Sequence, residues 1–261
     1  MILNEKDIEL LKFKENEVIV KRVKLSTGEF YAKYCTIHDA FMEILGSKVF
    51  SLVGIKCPNY IYVSDAHCVL SEDVKKYDKF HNPFDLGMNG YTLKNVKNKL
   101  AGYFLQGKFT NHKEICFQID IMHFIDILFS NIDRHISNFG FSLKEDGIGY
   151  LVVYDNADFL QEFEKATRPM SIEGSNGLDF VFTSKREEAK EFISSLSEEE
   201  RLYMLKIYEM FSPLRLLTII SSIEKDNGIK LPNKLSIMKS YIKNYMMVGK
   251  LLNNKDKLKK K

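Results

Sequence analysis

The sequence predicts an α+β protein of two lobes: a small antiparallel β lobe carrying one helix, then a larger, mostly helical C-terminal lobe. Three observations carry that prediction. Runs rich in β-branched residues crowd the stretch from Glu17 to Leu70, broken by one helical period. A charged, turn-rich stretch from Glu72 to Asn89, punctuated by Asn82-Pro83 and Gly87, interrupts them. From Thr92 onward helical periodicity dominates, apart from one hairpin and one long loop. The boundary falls near Ser71–Asp73, which makes residues 1–73 the first lobe and 74–261 the second.

Residues 1–34 read mainly as strands. Glu17 to Leu25 and Phe30 to Tyr34 flank the turn residues Ser26-Thr-Gly-Glu29, an antiparallel hairpin that puts Lys33 on its second strand. Over Ile37–Val53, Phe41, Leu45, Val49 and Leu52 recur at helical spacing and Gly54 is a natural stop. Glu43 lies off that stripe, beside the small residues Gly46 and Ser47. Cys57–Val63 and His67–Leu70 form a further strand pair around Ser64-Asp-Ala66. Thr92–Phe104 is a helix of weak amphipathicity; Glu114–Ser130 is apolar on most faces and therefore central. Phe141–Leu143 and Gly149–Tyr154 flank the turn Lys144-Glu-Asp-Gly147, a second hairpin. Leu160–Ser184 reads as a long loop, of the kind that sets specificity. Four helices close the chain, over Lys185–Leu196, Ser197–Phe211, Pro213–Lys225 and Leu231–Leu252.

Composition sets the bounds. Hydrophobic residues are 45% and charged residues 28% of 261, the profile of a globular protein with a core rather than of a disordered chain. A net charge of +3 is too mild to imply direct nucleic-acid binding. Much of the excess sits in the tail from Asn253 to Lys261, which reads as a solvated end, with an anionic membrane or a partner as the alternative. Cys35, Cys57, Cys68 and Cys116 lie far apart without metal or disulfide spacing, which fits reduced thiols and a cytoplasmic protein. His112, His123 and His135 are not at zinc-ligand spacing either. The acidic start Met1-Ile-Leu-Asn-Glu-Lys-Asp7 is no signal peptide, and no window is apolar enough for a membrane span.

The chemistry concentrates in Asn131-Ile-Asp-Arg-His-Ile-Ser-Asn-Phe-Gly140, where the apolar helix empties abruptly into a polar loop. Asp133 and Asn138 supply two oxygen ligands, or a base and a ligand, facing one site. Asp155 ends the apolar strand Tyr150-Leu-Val-Val-Tyr154, and the hairpin returns it to that loop. Lys33 on a strand and Glu43 on the next helix are placed for an ion pair that would aim the lysine at phosphate oxygens. Each taken alone has a plainer reading, a solvated turn or a surface pair. Asp120 and Asp126 read as hydrogen-bonding groups of the core helix, with Asp126 able to brace the loop from behind. Asp158-Phe159 is the rival to Asp155 as the metal aspartate.

The series Ala32-Lys33, Glu43 followed by Leu52-Val-Gly-Ile55, the run from Asp126 to Gly140, and Leu151-Val-Val-Tyr-Asp155 resembles the HipA-like serine/threonine protein kinases. The Asp-Arg-His-x-x-Asn loop also resembles the catalytic loop of phosphatidylinositol kinases. The resemblance covers about residues 29–160 and implies a two-lobed protein-kinase-like fold that uses ATP and Mg2+. It implies that Asp133 is the catalytic base or an orienting carboxylate, Asn138 a magnesium ligand and Asp155 the second metal-binding carboxylate. Lys33 would hold the α- and β-phosphates, Glu43 would fix Lys33, and the backbone at Glu72 would meet adenine. Arg134 and His135 would be supports or γ-phosphate contacts. A protein substrate and a small regulatory partner, as in toxin–antitoxin pairs, follow from the same resemblance. Ser171, Ser175 and Thr183 are candidate autophosphorylation sites, with a plain polar loop as the simpler reading.

One departure stands out. The turn that should cover the phosphates, between the first two strands, falls near Lys14-Glu-Asn-Glu17, which has no glycine and two acids. Either the phosphates are covered differently, or a partner completes the lobe, or the protein is a pseudokinase; among enzymes, a lipid or small-molecule kinase is the competing function.

Overall fold

The computed structural model describes residues 4–12, 20–74, 79–83, 85–87, 93–107, 110–131, 133–160 and 186–253. It is a mixed α/β structure with two antiparallel sheets. The first sheet has the order β1-β2-β4-β3, from Val20–Leu25 (β1), Gly28–Tyr34 (β2), Tyr60–Val63 (β3) and Cys68–Glu72 (β4). Leu25 pairs with Gly28, so Ser26-Thr27 is a two-residue hairpin turn; Gly28, at φ +145°, takes a conformation that L side chains rarely adopt. Ile37–Leu52 (α2) crosses between β2 and β3, started by a capping box of Thr36 and Asp39.

The chain opens with a helix where the sequence reads as strand. Glu5–Leu11 (α1) is capped by Asn4, whose side chain accepts the Asp7 N–H at 2.9 Å. Asp7 in turn accepts the Ser26 N–H at 2.9 Å, which seats α1 on the first hairpin turn. Its seven residues are too few for a period to stand out, and the capping box Asn-x-x-Asp was the readable signal.

The second sheet, β5-β6-β7, joins Lys79–His81 (β5), Phe139–Leu143 (β6) and Gly149–Val153 (β7). β5 lies inside the stretch that reads as a connector; three residues show no alternation. Phe80 of β5 lies over Gly140, where a Cβ would overlap its ring and the His81 carbonyl. Lys56 bridges to Val152, and the Val153 N–H donates to the Lys56 carbonyl at 2.9 Å, which fastens the end of β7 beside the segment leading into β3.

Leu93–Leu105 (α3) leads to His112–Leu128 (α4), the central helix, with Ile119, Met122, Phe124, Ile125, Ile127 and Leu128 wholly or almost wholly buried. Four helices follow: Arg186–Ser195 (α5), Glu198–Met210 (α6), Pro213–Asn227 (α7) and Lys234–Asn253 (α8). One core cluster unites α2, α4, the second sheet and α5–α8; a smaller one lies between α1 and the first sheet.

α4 ends in a Schellman motif that launches the polar loop. Ser130 adopts φ +51° and the Asn131 N–H donates to the Asp126 carbonyl at 2.9 Å. From α8, the Asn244 amide donates to the carbonyls of Ile127 and Leu128 at 2.7 and 2.8 Å, satisfying two helix-end acceptors.

His123 of α4 is buried edge-on against Phe192, with ring centroids 4.5 Å apart, and burial pushes its pKa down to about 3. The unfolded chain takes up a proton near pH 6.5, the native one only near 3, so stability falls as pH falls between those values. Lowering the pH from about 7 to about 5 is expected to cost about 2 kcal/mol through this residue. Urea titrations of the wild type and His123→Phe check this: the variant loses that share of the acid sensitivity.

Candidate active site

Lys33 sits near the end of β2, opposite Val69 of β4. Its Nζ donates to Glu43 Oε1 at 3.0 Å and to Asp155 Oδ1 at 2.7 Å, so one ammonium lies between a helix carboxylate and a strand-end carboxylate. Burial alone would lower the lysine pKa; the charges of Glu43 and Asp155 outweigh it and raise the pKa, keeping the ammonium protonated. Glu43 is 1% exposed, and its burial, with the Asp155 charge, raises its pKa to about 7 against the pull of Lys33. Asp155 goes the other way: burial works to raise its pKa, but Lys33 holds it below the usual carboxylate range.

The backbone around Asp155 is held from three sides. Its φ of +57° lies in the left-handed region, a sparsely populated conformation for a non-glycine residue. Its N–H donates to the Tyr60 hydroxyl at 3.2 Å, and the next N–H, of Asn156, donates to Glu43 Oε2 at 2.7 Å. Gly46, one turn beyond Glu43 on α2, admits Asn156; a Cβ there would overlap the asparagine side chain. α2 and the exit of β7 therefore meet backbone to side chain with no slack.

Arg134 is the internal tie of the site. It is wholly buried and forms a bidentate pair with Asp126 of α4, Nε to Oδ2 at 3.0 Å and Nη2 to Oδ1 at 3.2 Å. Nη1 donates to the carbonyls of Asn138 and Tyr154 at 3.0 and 2.8 Å, and Nη2 to Asn156 Oδ1 at 2.6 Å. One guanidinium thus joins the central helix, the polar loop and the exit of β7. Every donor it uses points into protein, which leaves no face for a phosphate.

Around that tie the loop closes on itself. The Asn138 amide donates to the Asp133 carbonyl at 2.8 Å, and the Tyr154 N–H donates to the Asn138 carbonyl at 3.0 Å. Asn131 accepts the Asp133 N–H at 3.3 Å. The Asp133 carboxylate, on a side chain 50% exposed, faces outward with His135 Nε2 at 3.7 Å. His135 Nδ1 accepts the Ser137 N–H at 3.2 Å, and burial lowers the imidazole pKa. Asp158 completes an acidic patch: its pKa is raised by burial first, then by the charges of Asp133 and Asp155.

The geometry brings Lys33, Glu43 and Asp155 into direct contact and ties Asp133, Arg134, His135 and Asn138 to the same strand end. Glu72 stands apart. It ends β4 opposite Phe30, three residues along β2 from Lys33, roughly 10 Å at strand rise. The segment around Lys14–Glu17 lies outside the described residues, as do Ser171, Ser175 and Thr183. What precedes that segment is helix α1 and not a strand, and the described chain resumes at Val20, directly across from Lys33. Sequence reasoning passed over Asn156, Tyr60 and Asn131. Asn156 follows the strand-end aspartate, and Gly46 interrupts an otherwise bulky helix; together they were the readable sign of a close approach.

Among the described residues no three His, Cys, Asp or Glu side chains converge tightly enough to hold a metal by themselves. Magnesium does not require that, since it keeps waters and takes one or two carboxylates together with substrate phosphates. The donors here are hard oxygens, and the like charges crowding Asp158 are what a divalent cation would relieve. Asp155, Asp158 and Asn138 are of the oxygen-donor type that magnesium takes.

This fold is that of the HipA-like kinases. The chain is similar to the Helicobacter pylori proinflammatory kinase CtkA, with a TM-score of 0.59 and 15% identity over 92% of both chains. It is also similar to HipA of the Shewanella oneidensis MR-1 toxin–antitoxin system, solved with HipB and operator DNA. That match has a TM-score of 0.54 and 10% identity, and covers 92% of this chain and 65% of HipA. At such identities the likeness is one of fold. No family model and no curated protein matches the sequence.

Proposed function

We propose that the chain is an ATP- and magnesium-dependent protein kinase that transfers the γ-phosphate to a serine or threonine hydroxyl. The observation that carries the reading is the Lys33 ammonium held between Glu43 and Asp155, at 3.0 and 2.7 Å. In this reading residues 1–73 form the nucleotide-binding lobe, residues 74–261 the catalytic lobe, and the cluster lies in the cleft between them. The fold shared with CtkA supports a phosphotransferase; that shared with HipA supports a small regulatory partner.

Glu43, itself anchored by the Asn156 N–H, aims Lys33 at phosphate oxygens. Asp155 and Asn138 would hold magnesium, with Asp158 as a further acid alongside. When bound, the ion would neutralise charge on the transferring phosphate. Asp133, outward-facing and half-exposed, takes the proton of the attacking hydroxyl. Arg134 and Asp126 act by holding the loop and the strand end in one frame, and His135 flanks the base. Glu72 and its backbone neighbours meet the adenine. Serine or threonine as acceptor follows from the resemblance alone.

Magnesium-ATP binding is measured by thermal melting. At about a hundredfold over Kd it adds about 2.7 kcal/mol. That amounts to a rise of roughly 5–10 °C for a chain of this size. A melting temperature unmoved by magnesium-ATP, with or without a binding partner, removes the nucleotide site from the account.

A further inference from the structure

Helix α8 turns one face inward, with Ile237, Tyr241, Asn244, Val248 and Leu252 buried. The opposite face carries Leu235, Lys239, Ile242, Lys243, Met246 and Lys250, whose spacing confines them to about a third of the helix circumference. Leu235 is 80%, Ile242 40% and Met246 56% exposed, a line of large apolar side chains in water. The three lysines beside them are exposed, and none makes an ion pair with a described residue. The helix has no acidic residue in its 20 positions, and the sequence after it, Asn254-Lys-Asp-Lys-Leu-Lys-Lys-Lys261, adds five lysines and one acid.

We propose that the outer face of α8 seats the protein on an anionic lipid bilayer. A solvated helix face mixes signs and keeps large apolar groups scattered. Here cations of one sign flank an apolar line, the pattern of a helix lying in a membrane interface. Leucine, isoleucine and methionine enter the acyl boundary while the lysine stems extend toward lipid phosphates. Nucleic acid would use the lysines and leave the apolar line without a role. An acidic protein groove would take the same helix face, and it is the occupant left if the anionic vesicles do not bind. The helix lies on the bilayer rather than across it: among the described residues none is long and apolar enough to span one. The proposal is independent of the kinase reading.

The test is cosedimentation of the full chain with vesicles of phosphatidylcholine alone and of phosphatidylcholine with phosphatidylserine. Expected is binding to the anionic vesicles, weakened by added salt, with little binding to the neutral ones. Combined Lys239→Ala, Lys243→Ala and Lys250→Ala lowers the partition coefficient roughly a hundredfold. Leu235→Ser with Met246→Ser also weakens binding to anionic vesicles while leaving retention on heparin unchanged. All five positions are exposed, so far-UV circular dichroism should be unaltered; if a variant fails to fold, the vesicle and salt series on the wild type decides. Equal binding to both vesicle types, no binding to either, or apolar substitutions without effect on vesicle binding each overturn the proposal.

Discussion

Arg134→Ala is expected to destabilise the protein by about 3–5 kcal/mol, the range for removing one partner of a buried ion pair. The size follows from what stays behind. The Asp126 carboxylate, 2% exposed, loses the bidentate partner that offsets its burial. The Tyr154 carbonyl and the side chain of Asn156 lose the arginine donor in the same step, and the Asn138 carbonyl keeps only the Tyr154 N–H. Burial raises the Asp126 pKa against the opposing guanidinium, so with the arginine gone the carboxyl neutralises by taking a proton. The loss therefore grows as pH rises and shrinks in acid. Arg134→Met with Asp126→Leu removes both charges and recovers part of the stability without restoring the ties that position the loop. Denaturant titration of the three proteins checks this; a loss below about 1 kcal/mol would show that the tie is not structural.

Asp133→Asn is expected to do the reverse, leaving stability nearly intact and lowering phosphate transfer by roughly 10²–10⁴. The loop holds Asp133 by its backbone, through the N–H to Asn131 and the carbonyl to Asn138, and its side chain is half-exposed. Asparagine keeps that frame and removes only the proton acceptor. ATP affinity should be little changed, because Lys33 and Asp155 are untouched. An equal fall in affinity and rate would instead place Asp133 among the nucleotide's ligands.

These two arginine-loop predictions rest on different layers of the sequence. The loop itself was legible because it breaks an apolar helix with Asp133, Arg134, His135 and Asn138, and polarity after a buried run leaves a clear mark. Lys33 and Glu43 were legible as a pair from a strand followed by a helix, and the ion pair forms at 3.0 Å. The same reading allowed Arg134 either a support or a phosphate contact, because an arginine's burial depends on what folds over it. The bonds from Arg134 to Tyr154 and Asn156 join residues 20 and 22 positions apart, which no local period encodes. Tyr60 meets Asp155 across 95 residues for the same reason. α1 and β5 escaped because each is shorter than the window over which a period can be counted.

The central claim is tested most directly by following transfer of labelled γ-phosphate from ATP onto serine or threonine, with and without magnesium, in the wild type and in Asp155→Asn. Magnesium-dependent labelling of the wild type, lost in Asp155→Asn while the variant remains folded, is the result expected. Absence of transfer from the folded wild type, or transfer that survives Asp155→Asn, would contradict it.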